Sequence, residues 1–327
     1  MARLADLVGA GQLRFVYVLG LARSGSTIVC RTIGAGLDGA VYEPATPARL
    51  DRGRHYAKTI LKAYDEARRQ VGNDRPIALA IKDLSLFIDD RRFLATLAQA
   101  AHLVVTVREP AAQQASLKAL LAHEFSLWQR IEIIFRHPYE ALGMAWYFLV
   151  YGRQFVREAS LLFGYGLLKM HRLAMAGWNL RSWRNLEAQL AGLCDMPVSV
   201  LDADAMRRDP ADTEARLRRI ASSVAPSGAP AHVEIAGHCR MLQRSKWAAE
   251  ALSSTGIKAA SGDQPKRPPP DALDSQLLAI TEAAYKRVLG MQPGRIAVPA
   301  EEAGVACSAD ENRSRSTSVR TREVPTS

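Results

Sequence analysis

The segment Gly20-Leu-Ala-Arg23-Ser24-Gly25-Ser26-Thr27 combines residue types and a spacing suited to binding an anion. Small side chains let backbone N–H groups come close to a ligand. A helix N-terminus behind them adds free donors and partial positive charge. The spacing from Gly20 to Gly25 matches the phosphate-loop pattern G-x-x-x-x-G-K-[ST], but Ser26 stands where that pattern has lysine. Hydrolysis of ATP or GTP needs that lysine on the β- and γ-phosphates, so its absence argues against it. Arg23 offers a cation from another position in the loop. A second candidate lies in VVTVREPAAQQASLKALL, with Arg108 at a strand end and Ser116 eight residues later on a helix. An arginine fork can grip one face of a phosphate while a hydroxyl donates to another of its oxygens. Glu43, in Tyr42-Glu43-Pro44, puts a carboxylate after the second strand. Lys82-Asp83 ends the third strand, where Lys82 either reaches an anionic group or pairs with Asp83. The charge at Lys82 spoils Leu79–Asp83 as a Walker B strand.

These residues need a scaffold, and hydropathy supplies one. Apolar runs at 15–20, 39–47, 76–84, 101–110 and 197–204 read as strands. Between them, 48–71, 90–101, a stretch from Ala111 and 209–222 read as helices. Asp209 is the predicted N-cap of the last, with Pro210 in its first turn. Strands alternating with helices predict an α/β fold: a phosphate-loop-like, mostly parallel sheet flanked by helices. Residues 118–192 break the alternation. They are helical in character, rich in aromatics and basic, and predict a helical lobe inserted in the domain. The predicted domain runs over 1–297. It includes proline-rich loops at 222–231 and 260–271 and an amphipathic helix at 273–291. Residues 298–327 are predicted to be a disordered tail.

The chain has 327 residues with 43 lysines and arginines against 33 acids, a net charge of +10. That suits an anionic ligand such as a nucleotide, a nucleic acid, a sulfated or phosphorylated substrate, or a lipid headgroup. It equally suits a basic protein whose charge only keeps it soluble. Cys30, Cys194, Cys239 and Cys307 are far apart and predict free thiols. The N-terminus lacks a long apolar core, and the chain has no uninterrupted run of about 18 apolar residues. A cytoplasmic protein is therefore expected. The seven histidines have no ligand spacing, so no metal site is expected.

On three motifs the chain resembles the sulfotransferases that use 3′-phosphoadenosine-5′-phosphosulfate (PAPS). Arg23, Ser24, Gly25, Ser26 and Thr27 fit that family's 5′-phosphosulfate pattern [KR]-S-G-[ST]-[ST] on the first strand–helix turn. Arg108-Glu-Pro with Ser116 is similar to its 3′-phosphate site. Tyr42-Glu43-Pro44 resembles the glutamate-proline of carbohydrate sulfotransferases and bacterial relatives. The resemblance implies PAPS as co-substrate and Glu43 as general base. It also implies that Arg23, Ser26 and Thr27 stabilise charge on the leaving oxygen; Lys82, at the sheet edge where ligands bind in open α/β folds, is a candidate for contact with a sulfuryl oxygen or the acceptor and equally for a pairing with Asp83. No metal is implied. Ala203-Asp204-Ala205-Met206 with Pro210 resembles a degenerate Y-E-D-L-x-x-x-P motif, and ITEAAYKRVLGM (280–291) resembles the family's closing helix.

The implied acceptor is a carbohydrate, a lipid or another small molecule. The aromatic, basic lobe hints at an apolar or anionic acceptor and at peripheral membrane contact; no nucleic acid is expected as a partner. Arg244, Lys246 and Trp247 are candidates for a late loop over the nucleotide, with Trp247 near adenine. Two other readings stay open: a phosphate-loop kinase or NTPase with an altered loop, and a non-catalytic basic binding protein.

Overall fold

Six apolar segments pair into one all-parallel sheet in the computed structural model. The structure describes residues 1–46, 52–72, 74–89, 91–123, 170–193, 196–236, 257 and 272–291, with isolated positions between 135 and 146. Helix α1 (Ala2–Gly9) precedes β1 (Leu13–Gly20), which leads through a turn into α2 (Ser26–Gly34) and β2 (Gly39–Tyr42). Then come α3 (Arg52–Val71), β3 (Ile77–Leu84), a 3-10 turn over Ser85–Phe87, α4 (Arg91–Leu97) and β4 (His102–Val107). Helices α5 (Pro110–His123) and α6 (Met170–Ala191) bracket most of the predicted lobe. The chain returns through β5 (Val198–Asp202), α7 (Ala203–Arg208), α8 (Pro210–Val224) and β6 (Val233–Ala236) to α9 (Ala272–Gly290).

The strand order is β5-β4-β1-β3-β2-β6. Because all strands are parallel, all six carboxyl ends lie on one edge. β1 lies between β3 and β4, where the order of the strands reverses. In open α/β sheets the crevice at such a switch is where ligands bind. β1 is buried on both faces, as the central strand of a covered parallel sheet must be. Its side chains alternate between two cores. Phe15, Tyr17 and Leu19 join Leu79, Ile81 and Trp183 under α3, α4, α6 and α9. Val16 and Val18 join Val29, Ile33 and Leu217 under α2 and α8.

The α/β expectation holds, and five of the six strands were legible as apolar runs. The second strand is shorter than expected: it stops at Tyr42, and the chain turns at Glu43 with φ +51°. β6 and α1 were not foreseen. β6 is only four residues long and depends on backbone pairing to β2, beginning where Val233 N–H donates to the Asp38 carbonyl at 2.8 Å. Asp209 caps α8 as expected, its carboxylate accepting from Asp212 N–H at 3.0 Å, with Pro210 at the first helical position. Most of the 118–192 lobe, the 260–271 loop, residues Arg244, Lys246 and Trp247, three of the four cysteines and residues 298–327 lie outside the described residues. Among the described residues no helix is long and apolar enough to cross a membrane.

Candidate functional site at the carboxyl edge of the sheet

The β1–α2 turn is built around two close approaches. A Cβ on Gly20 would stand 2.5 Å from Thr106 Oγ1 and 2.6 Å from Ser26 Cβ, so only glycine lets the strand end pass beneath the helix. Gly25 caps α2 in the left-handed region at φ +81°, a conformation that glycine adopts without steric penalty. Between them Ser24 is fully buried. Its hydroxyl donates to the Leu21 carbonyl at 2.7 Å and lies 2.7 Å from Thr106 Oγ1 on β4. Ser24 therefore shapes the loop from within and does not face a ligand. Ser26 is buried at the start of α2, Thr27 is half-buried and Gly25 is exposed.

Arg23 also sits in the left-handed region, at φ +69°. Its Nε donates to Ser116 Oγ at 3.0 Å. The first two candidate segments thus meet: the loop after β1 touches the helix after β4. Arg108 directly follows β4. Its Nε lies 3.5 Å from Asp204 Oδ1 and is buried without a hydrogen-bond partner. Arg108 and Ser116 therefore each engage a different group: Asp204 for the arginine, Arg23 for the serine. Glu109 caps α5, its carboxylate accepting from Ala111 N–H at 3.0 Å and Ala112 N–H at 2.8 Å.

Glu43 and Lys82 come together on the other side of β1. The strand register sets Lys82 opposite Val18 on one side and Tyr42 on the other. Glu43 N–H donates to the Lys82 carbonyl at 2.6 Å, and the Lys82 ammonium pairs with Glu43 Oε1. Lys82 is 3% exposed and Glu43 17%, so this ion pair is largely removed from water. Asp83 is not the partner of Lys82 that one sequence reading allowed. Successive strand residues point to opposite faces, and Asp83 faces the α3 side. There its Oδ2 accepts from Tyr17 O–H at 2.5 Å and its Oδ1 from Ala45 N–H at 2.9 Å. Tyr56 O–H lies 3.3 Å from the Tyr17 hydroxyl. Burial pushes the Asp83 carboxyl up to about 7, against the opposing pull of the Tyr17 and Ala45 hydrogen bonds. Burial also raises Tyr17 and Tyr56, with the Asp83 charge adding to it.

Three supporting contacts were not found from sequence, although Met206 and Tyr285 fall in segments that resemble family motifs. Gln113 is 1% exposed; its Nε2 donates to the Ala22 carbonyl at 3.0 Å and its Oε1 accepts from Trp183 Nε1 at 3.2 Å. It ties the β1–α2 loop to α6. Met206 on α7 lies under the same loop, its methyl 3.2 Å from where a Gly25 Cβ would be. Tyr285 on α9 donates to Asp202 Oδ2 at 2.9 Å, while Asp202 Oδ1 caps α7 by accepting from Ala205 N–H at 2.7 Å. None of the three contacts carries a local signal, because each depends on which elements the fold makes adjacent.

An open cleft of about 350 Å³ at the opposite edge is lined by Tyr64, Arg68, Asp74 and Arg75. Its arginines serve the fold. Arg75 forms a double contact with Asp38 at 2.7 and 2.9 Å, and Arg68 donates to the Gly72 and Arg75 carbonyls and the Tyr64 hydroxyl. Among the described residues no group of three or more histidines, cysteines and acids is placed to hold a metal ion.

The fold defines an α/β protein with a phosphate-loop-like parallel sheet, and the candidate residues flank the carboxyl end of its central strand. The chain matches no protein-family model, and no curated protein is significantly similar to it.

Proposed function

We propose that the chain is a sulfotransferase that moves a sulfuryl group from PAPS to a hydroxyl of a carbohydrate, glycolipid or other small-molecule acceptor. The observation that carries this reading is the Arg23–Ser116 hydrogen bond. It joins the loop after β1 to the helix after β4, so anion-binding groups suited to the two ends of one nucleotide converge at the topological switch. Backbone strain adds support. Among the described residues three non-glycine residues have φ in the left-handed region, and two of them are Arg23 and Glu43. Such strain costs on the order of 1–3 kcal/mol per residue and tends to persist where function requires it.

The described residues fit the nucleotide. Arg108 holds a buried Nε–H with no acceptor within hydrogen-bond geometry, a donor suited to a 3′-phosphate. In this reading Ser116 supplies a hydroxyl to the same phosphate. The α2 N-terminus, Arg23, Ser26 and Thr27 would hold the 5′ end, with Ser24 shaping their loop. When bound, PAPS supplies an activated sulfuryl group on a good leaving group. Positioning and charge stabilisation then dominate catalysis. Glu43 takes the proton from the acceptor hydroxyl. Lys82 fixes the Glu43 carboxylate and brings a cation toward the sulfuryl oxygens. Arg23 and the helix N-terminus stabilise the negative charge that collects on the departing phosphate oxygen.

Calorimetric titration without metal tests the reading, using adenosine 3′,5′-bisphosphate beside ATP and the 3′-dephospho nucleotide. Tight binding of the bisphosphate alone is expected. Arg108→Ala should weaken the bisphosphate by roughly 10–100-fold, the worth of a charge-assisted contact, and barely change the dephospho nucleotide. Preference for ATP would favour a kinase or NTPase, and binding of none of the three a non-catalytic basic protein.

A further inference from the structure

Glu43 has to be held where it is. It sits at φ +51°, a region that glutamate rarely adopts, and it precedes Pro44, whose ring favours extended backbone in the residue before it. Left to itself, such a residue relaxes to the extended region and carries its side chain with it. A strained conformation persists only where its surroundings over-determine it. The first restraints are local. Glu43 N–H donates to the Lys82 carbonyl, and the Glu43 carbonyl accepts from Thr46 N–H at 3.2 Å, closing a turn with Pro44 in its second position.

The third residue of that turn, Ala45, is gripped at both of its backbone groups. Its N–H donates to Asp83 Oδ1 at 2.9 Å, and its carbonyl accepts from Arg52 Nη2 at 3.1 Å. Both grips are themselves anchored. Asp83 is fully buried, and its other oxygen accepts from Tyr17 O–H at 2.5 Å. The same Arg52 nitrogen donates to the Phe87 carbonyl at 2.5 Å, and Arg52 Nη1 reaches the two oxygens of Asp89 at 2.8 and 3.2 Å. Asp83 lies on β3, and Phe87 and Asp89 follow it closely. The turn after β2 is thus tied to the end of the strand that also carries Lys82. We propose that Asp83 and Arg52 are positioning residues: together they clamp Ala45, and the clamped turn aims the Glu43 carboxylate at Lys82 and the acceptor hydroxyl. The catalytic consequence rests on the reading of Glu43 as the base; the clamp itself does not.

Two readouts test it. The first needs no turnover. A brief pulse of acetic anhydride, mapped by mass spectrometry, reports on the Lys82 amine, which is 3% exposed and paired with Glu43. In Asp83→Ala its labelling should rise about tenfold relative to exposed Lys58, with circular dichroism showing a folded chain. Asp83→Asn, whose carbonyl still accepts from Ala45 N–H, should stay near the wild type. Arg52→Ala releases the other side of Ala45 from a partly exposed position. It should raise labelling as well, and it decides the question if Asp83→Ala does not fold. The second readout is turnover with PAPS and a p-nitrophenyl galactoside as acceptor. Misplacing a catalytic group by about 1 Å costs on the order of 10²-fold. Asp83→Ala should lose about that much in kcat and Asp83→Asn less than about threefold, both binding adenosine 3′,5′-bisphosphate within about threefold of the wild type. In a Glu43→Gln background Asp83→Ala should cost nothing further, because it acts through Glu43. Lys82 as protected in the folded variants as in the wild type would overturn the proposal, since the two side chains would then serve stability alone. So would a full additional loss of kcat in the Glu43→Gln background. A wild type without turnover, or a Glu43→Gln variant that keeps it, counts against the sulfuryl-transfer reading and not against the clamp, which the labelling then decides.

Discussion

Replacing Asp83 with asparagine should change how stability depends on pH. Asp83 is fully buried, and its carboxyl is raised from 3.8 to about 7 in the folded state. Between those values the folded chain holds a proton that the unfolded chain has released. Stability from this group is therefore fully present below pH 3.8 and is lost as pH rises through about 7. At about 1.36 kcal/mol per pH unit, the loss amounts to about 4 kcal/mol. An asparagine keeps both contacts in neutral form. Its carbonyl can accept from Ala45 N–H, and its amide can donate to Tyr17, whose hydroxyl then donates to Tyr56. Urea unfolding of both proteins at several pH values from 4 to 8.5 isolates the effect, because the other carboxylates titrate in both and cancel in the difference. The asparagine variant should gain on the wild type steadily toward alkaline pH. With a slope near 3 kcal/mol/M, its midpoint advantage should grow by roughly 1.3 M across the range. A difference between the proteins that does not vary with pH would mean that Asp83 is ionised in the folded protein throughout, and the burial argument would fail.

Gln113→Ala should cost about 3 kcal/mol by stranding the Ala22 carbonyl and Trp183 Nε1. Gln113→Glu buries a carboxyl that faces the Ala22 carbonyl where the amide donated, so it should cost at least as much stability as the alanine and weaken adenosine bisphosphate at least about tenfold by calorimetry. Glu43→Gln should lower turnover by roughly 10²–10⁴-fold while bisphosphate affinity stays within about threefold; undiminished turnover would remove Glu43 as the base. Arg75→Ala removes the cation from Asp38, which is 1% exposed and keeps only its hydrogen bonds from Ala78 and Ala231 N–H, and should cost about 3 kcal/mol in urea unfolding with no change in nucleotide affinity, since it acts at the opposite edge.

The candidate residues were legible where chemistry and local geometry coincide. Arg23-Ser-Gly-Ser-Thr forms a strand–helix turn whose small residues announce a close approach, and Arg108 with Ser116 sits across a strand–helix boundary. The pairings between such segments were not legible. Glu43 meets Lys82 because β2 pairs with β3 in a register that opposes Tyr42 and Lys82. No local pattern specifies that β3, and not β4, is β2's neighbour. One of the two readings of Lys82 paired it with Asp83, but strand alternation sends the two side chains to opposite faces, and Tyr17 claims the carboxylate. β6 escaped because four residues carry too little periodicity to stand out, and its place is set by backbone pairing to a strand almost two hundred residues earlier.

That distant pairing also bears on the order in which the sheet can be completed. β2 emerges early in synthesis, and one of its edges stays open until residues 233–236 arrive to pair with it. During that interval the nascent chain presents a row of unpaired N–H and C=O groups flanked by buried-type side chains, a template for pairing with a neighbouring chain. Arg31 of α2 is 3.4 Å from Glu234 in the finished fold, so the helix beside β2 carries a cation that can engage the incoming strand. Contacts of such long sequence separation form slowly. The most vulnerable moment in the life of this molecule is therefore the wait for its shortest late strand.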